Sequence, residues 1–193
     1  MKNFIKNWSS FFLTLLIFWL LWAFVVTPVS VKGHSMDPTL ADGQKMITYK
    51  LAKINRFDIV TTKEPDDLKK LAVKRVIGLP GDIVEMQDDQ LTVNGKKIDE
   101  SYLTEYKNKF TNDRLQDEYA YNTAYQSLAK DSQTFTNTFT YEVPEGKYLL
   151  LGDNRLISKD SRIFGFVDKD LIQGEVIFRY WPFSEIAVLH NGK

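Results

Sequence analysis

The stretch LAVKRVIGLPGDIVEM, residues 71–86, decides how the rest of the chain is read. Two runs rich in Val, Ile and Leu, 71–79 and 82–86, flank Pro80-Gly81, the signature of two strands joined by a turn. Along the first run, Ala72, Lys74 and Val76 share one face, and Val73, Arg75 and Ile77 share the other. The same pattern recurs outward in KMITYKL (45–51), FDIVTT (57–62), KYLLLGDN (147–154) and GEVIFRYWPF (174–183). In QLTVNGKKI, Asn94-Gly95 between alternating residues predicts a hairpin. QTFTNTFTYEV is expected to set Phe135, Phe139, Tyr141 and Val143 on one strand face. Between these lies the polar, tyrosine-rich stretch 102–132, whose segment 114–132 reads as one helix or a mobile region. The chain contains no internal repeat.

The N-terminus follows a different rule. From Phe11 to Val26 the chain is apolar except for Thr14. With Trp8, Ser9 and Ser10 the segment approaches the roughly 20 residues that span a bilayer. It is long for the core of a cleaved leader, and no Ala-x-Ala follows it, so an uncleaved anchor is expected. Trp8 and Trp22 suit the two interfaces, and Lys2 and Lys6 favour a cytoplasmic N-terminus. Pro28 is expected to stop the helix. The fold class is therefore mainly β: one N-terminal transmembrane helix, then a compact all-β body with an inserted smaller β subregion. Residues 1–7 form a short cytoplasmic tail, 8–27 the anchor, 28–87 and 143–193 the β domain, and 88–142 the insertion.

Composition narrows the function classes. Lys plus Arg equals Asp plus Glu, at 25 each, so there is no basic stripe for nucleic acid. The absence of cysteine excludes disulfides and thiolate metal sites. With only His34 and His190, a histidine metal centre is not expected, and no cofactor is implied.

The chemistry centres on Ser35, in VKGHSMDPTLADG (31–43). A serine becomes nucleophilic only when a base takes its proton. His34 is adjacent and would point away from Ser35 in an extended segment, and His190 lies near the C-terminus. A neutral lysine is the other option. A free lysine is deprotonated at pH 7 in roughly one molecule in 2,500, but burial among apolar groups lowers its pKa. Lys74, between Ala72 and Val76, is the candidate. Taken alone, this segment also fits a lysine that guards a sheet edge or snorkels to the surface.

Several blocks in combination go further. Gly33 to Leu40 after an apolar anchor, Lys74 to Asp82, then Gly152-Asp153-Asn154-Arg155 and Ser158-Lys159-Asp160-Ser161-Arg162 resemble, in order and spacing, the bacterial type I signal peptidases, in particular the short single-anchor enzymes of Gram-positive bacteria. The resemblance implies a membrane-bound Ser-Lys dyad protease that removes signal peptides from exported preproteins at the outer face of the cell membrane. Its partners would be those signal peptides, the lipid bilayer and the secretion translocon. It implies Ser35 as nucleophile, Lys74 as general base and Ser158 as the serine orienting the lysine amine. Arg75, Asp153, Arg155, Asp160 and Arg162 would be structural support. Gly33 stands where one branch of the family has a serine donating to the oxyanion, so the Ser35 backbone N–H would be the leading donor. Leu156-Ile157 replaces the polar pair usual after Gly-Asp-Asn-Arg. A scaffold of the same family with little peptidase activity, serving pilus assembly, is the alternative, and the presence of both Ser35 and Lys74 weighs against it.

The substrate is expected to lie extended between residues 29–33 and 71–74, adding its backbone to their edges. Val29, Val31, Met36, Leu40 and Val73 are the candidates for lining the pockets that take its small side chains. Met36, close behind the anchor, is also expected to touch the lipid side.

Overall fold

The computed structural model describes residues 2–189, with the side chains of 2–7 and 21 left undescribed. Helix α1 (Lys2–Val25) leads without a loop into β1 (Val26–Ser30). The body then runs β2 (Lys45–Tyr49), β3 (Ile59–Glu64), β4 (Asp67–Gly78), β5 (Ile83–Gln87), β6 (Gln90–Val93) and β7 (Lys96–Ile98). Helices α2 (Thr104–Asp113) and α3 (Thr123–Asp131) follow, then β8 (Phe139–Glu142), β9 (Lys147–Leu151), α4 (Ser161–Phe164), β10 (Val167–Asp168), β11 (Ile172–Trp181) and β12 (Ala187–Val188).

The strands form two antiparallel sheets. The larger has the order β1-β2-β11-β3-β4-β9-β10, with β12 on β11; the smaller is β7-β6-β5-β8. The 71–86 stretch joins them, because β4 is central to the first sheet and β5 to the second. Ile77 belongs to the apolar cluster packed on the small sheet, with Val84, Met86 and Leu91. Val76 packs with Val60, Tyr148 and Leu150, and Val73 with Met36, Leu40 and Met46. One β-branched strand thus supplies three cores.

Several local expectations are corrected. The helix begins before residue 8 and ends at Val25, three residues ahead of Pro28. Pro28 sits instead in β1, opposite Ile47; β1 is an edge strand, where a missing N–H is tolerated. Lys50 closes the helix end: its N–H donates to the Val25 carbonyl at 2.9 Å and its Nζ to the Ala23 carbonyl at 2.8 Å. Residues 114–132 are not one helix. Asn122 caps α3 with its side chain, accepting from the N–H groups of Ala124 and Tyr125, which breaks the segment at a polar N-cap. Phe135 leaves the strand pattern and joins Tyr106, Phe110 and Tyr119 in the core of the helical region. The Asp89 carboxylate accepts from the N–H groups of Phe135 and Thr136 and ties that segment to the β5–β6 turn. Phe139 and Tyr141 keep the strand pattern and stack at 4.9 Å between ring centroids.

The window Trp8–Val25 has a mean hydropathy of 2.0, with none of it buried against the body. Phe12, Phe18, Trp19 and Phe24 are all more than half exposed. By length and composition this helix can cross a bilayer.

Candidate active site

Lys74 and Ser35, 39 residues apart in sequence, meet. Lys74 Nζ donates to Ser35 Oγ at 2.8 Å and to the Val73 carbonyl at 3.1 Å. Strand β4 places the lysine. Its burial to 4% exposure pushes the ammonium pKa down from 10.5 to about 8, against the opposing pull of Asp160, Glu64 and Asp153 and with a small push from Arg162. Desolvation penalises the charged form and dominates here. At pH 7 about one Lys74 in ten is then neutral, against about one in 2,500 for a free lysine.

The segment around Ser35 is fixed from behind by the loop after β9. The Asn154 N–H donates to the Ser35 carbonyl at 3.1 Å. A Cβ on Gly152 would come within 2.1 Å of Ser158 Oγ and 2.4 Å of the Ser35 carbonyl oxygen, so only glycine lets the loop approach this closely. Gly152→Ala is expected to lose at least 90% of activity in a preprotein cleavage assay, because the clash falls on backbone that carries Ser35.

Beneath the pair lies a buried charge network. Arg75 grips Asp153 through Nε and Nη2 at 2.8 and 2.7 Å, and Thr39 Oγ1 donates to the same carboxylate at 2.5 Å. The Arg75 guanidinium also stacks on the Tyr102 ring at 3.9 Å. Arg155, fully buried, pairs with Glu100 and donates to Tyr102 Oη at 3.1 Å and the Gly152 carbonyl at 3.0 Å. Asp160 accepts from the Gly152 N–H at 3.0 Å and from Arg162 Nε and Nη2 at 2.8 and 2.7 Å. Burial works against the charge on Asp160, but Arg162 outweighs it and holds the carboxyl below its usual range. These bidentate pairs fix the loop geometry.

Ser158 departs from expectation. It is buried beside Gly152, and its hydroxyl acts on the Asp160 carboxylate, helping to hold that carboxyl low. The lysine amine is held by Ser35 and the Val73 carbonyl instead. His34 Nδ1–H donates to Asp37 Oδ2 at 3.0 Å, and the ring lies 4.5 Å from that of Tyr121. His190 lies outside the described residues.

A cleft of about 750 Å³ opens over the pair, lined by residues 28–36 and 69–74, with Glu64, Tyr125, Ile157 and Lys159. Its walls are strand edges. β2 takes one edge of β1. β3 takes one edge of β4, while β9 pairs only Arg75 to Gly78 on the other, so Leu71 to Lys74 presents an open edge to the cleft. Val29, Val31, Met36 and Val73 line it. Leu40 is not among the lining residues and packs with Val31, Met36 and Val73 in one apolar cluster. Met36 is also fully buried and so does not touch lipid.

The Gly33 backbone has φ of +79°, and nothing stands within 4 Å of where a Cβ would be. Its N–H is held by Asp42 Oδ1 at 2.7 Å. The left-handed backbone, rather than crowding, is what favours glycine there. Leu156-Ile157 also finds its reason: both pack on the core of the helical region, where a polar pair would lose its water. The contributions of Glu100, Tyr102 and Thr39 are not legible in the sequence. Only the Asp/Asn-rich motif they serve gave a signal.

The signal peptidase family, peptidase S26, matches residues 3–181. A signal peptidase I of Streptococcus pneumoniae is 46% identical over 199 aligned positions, covering 96% of this chain and 97% of the relative. A signal peptidase IB of Staphylococcus aureus is 42% identical, covering 99% and 96%. A crystal structure of a signal peptidase I from Enterococcus faecalis aligns at 35% identity over 65% of this chain and 97% of that one, with a TM-score of 0.49. With a family match across nearly its whole length and relatives above 40% identity at both ends of the comparison, this chain belongs to the signal peptidase family, peptidase S26.

Proposed function

We propose that the protein is a membrane-anchored serine endopeptidase that cleaves signal peptides from exported preproteins, with Ser35 as nucleophile and Lys74 as general base. The 2.8 Å contact between a buried lysine amine and the serine hydroxyl carries this reading. Neutral Lys74 takes the Ser35 proton as Oγ attacks the scissile carbonyl. The tetrahedral oxyanion is assigned to the Ser35 backbone N–H. The resulting Lys74 ammonium protonates the leaving amine of the mature protein. Water, deprotonated by Lys74, then hydrolyses the acyl-Ser35 ester and releases the signal peptide.

The substrate adds as an extended strand between the open edges of β1 and β4. Val29, Val31, Met36 and Val73 form the walls that admit small side chains and exclude large ones. Arg75, Asp153, Arg155, Asp160 and Arg162 hold the loop. Helix α1 serves as a single-pass anchor with the N-terminus cytoplasmic, the body lying outside the cell membrane beside the translocon. The body is divided at residues 88–142 into a catalytic β domain and an insertion.

Ser35→Ala tests the reading. The variant is expected to fold, to fractionate with membranes and to leave a signal-peptide-bearing preprotein uncut; cleavage near the wild-type rate would remove Ser35 from the mechanism. The topology has its own test: protease added outside cells stripped of their wall should digest the body, and protection until lysis would reverse the orientation.

A further inference from the structure

The helical part of the insertion reaches the back of the Ser35 segment through tyrosines. Tyr119 Oη donates to Asn154 Oδ1 at 2.5 Å, and the Asn154 N–H in turn holds the Ser35 carbonyl at 3.1 Å. Tyr119 is 1% exposed and Asn154 is buried. Among the described residues Asn154 Nδ2 has no hydrogen-bond partner, so the carboxamide is oriented by Tyr119 alone. Beside this link, the Tyr121 ring lies 4.5 Å from His34, the neighbour of Ser35. Tyr125 contacts the rings of both Tyr119 and Tyr121 and also lines the cleft. Burial raises the Tyr119 hydroxyl pKa well above its usual value, which keeps it a donor at any working pH.

We propose that Tyr119 is a positioning residue for catalysis: the insertion braces the nucleophile segment through the chain Tyr119 to Asn154 to Ser35. The inference rests on Ser35 being the nucleophile. Asn154 has one side-chain tether, and its backbone is the tether of Ser35. Freeing the carboxamide lets the Asn154 peptide shift and carries Ser35 Oγ off its line to Lys74 and the scissile carbonyl. Misplacement by a fraction of an ångström costs rate while substrate binding along β1 and β4 is unaffected.

The test is Tyr119→Phe, which keeps the ring and its packing and removes only the hydroxyl. Full-length enzyme in detergent is assayed on a preprotein, with active sites counted by the acyl-enzyme burst. The expected result is a fall of about tenfold in kcat per titrated site, with KM within about twofold and the midpoint of the pH profile unmoved, because Lys74 is untouched. Asn154→Ala should show the same loss, and the double variant should be no slower than Asn154→Ala, since the two act in series. An unchanged kcat per site, a loss explained wholly by fewer titrated sites, or additive losses in the double variant would each overturn the proposal. Ser35→Ala run beside them separates the two levels. If it is inactive while Tyr119→Phe matches wild type, only the brace fails; if it still cleaves, the nucleophile reading fails with it.

Discussion

Lys74→Ala is expected to abolish preprotein cleavage, and Lys74→Met to abolish it while making the protein more stable. The two outcomes have one cause. The lysine is 4% exposed, and its fall in pKa from 10.5 to about 8 measures how poorly the site accommodates a charged amine. At about 1.4 kcal/mol for each tenfold change in the proton equilibrium, the penalty on the charged form is roughly 3 kcal/mol. Because the folded pKa lies below the unfolded one, the penalty is present in full below pH 8 and is relieved as pH rises from about 8 to 10.5. An apolar side chain of similar length removes it. Lys74→Met should therefore unfold at higher urea than wild type at pH 7, with the difference shrinking toward pH 10. Lys74→Arg should be inactive too, because guanidinium stays protonated at any usable pH. A Lys74→Met enzyme that is stable and dead separates loss of the base from loss of the fold. One that still cleaves removes Lys74 as the base.

Glu100→Ala is expected to give the largest loss of stability. Glu100 and Arg155 are 1% and 0% exposed at their side chains. Removing the carboxylate leaves the guanidinium buried with only neutral partners, Tyr102 Oη, Thr136 Oγ1 and the Gly152 carbonyl. Breaking a buried ion pair on one side costs about 3–5 kcal/mol, mostly from the stranded charge. Much of a typical domain's margin would go with it. The measurement is the urea unfolding midpoint of the full chain, with activity followed in parallel. Since Arg155 also holds the Gly152 carbonyl, activity should fall before the body unfolds. A shift worth less than about 1 kcal/mol would mean that water reaches the guanidinium and that the pair does not hold the loop.

Local patterns made the strand body legible. Period-two alternation around Lys74, the Asn94-Gly95 turn and the apolar runs at 147–151 and 174–181 each point to strands, and the structure has β4, β6–β7, β9 and β11 there. The helical region was less legible because its signals conflict. Arg114 and Leu115 take positive φ, and Asn122 caps a new helix, so of the run 114–132 only Thr123–Asp131 is helical and the residues before Asn122 form turns. Phe135 fits a strand by spacing, yet burial against Tyr106 and Phe110 decided its place. At the site, the Ser35 and Lys74 pairing could be anticipated from residue type and motif. The partners that hold it could not: Glu100 lies 55 residues from Arg155 and Tyr119 35 from Asn154, separations at which a single sequence gives no pairing rule. Leu40 shows the converse. Its type suits a pocket wall, yet it packs within the cluster of Val31, Met36 and Val73 and does not line the cleft.

The rate of preprotein cleavage against pH, for wild type and for the variant with both His34 and His190 replaced, tests the Ser-Lys mechanism most directly. Neutral Lys74 is the active form, so kcat/KM should rise with pH, reach half its plateau near the value of about 8 set by burial, and stay level above it. The double histidine variant should trace the same curve. A midpoint near the ordinary histidine value of about 6.5, lost when the two histidines are removed, would contradict the mechanism and transfer the base from Lys74 to a histidine.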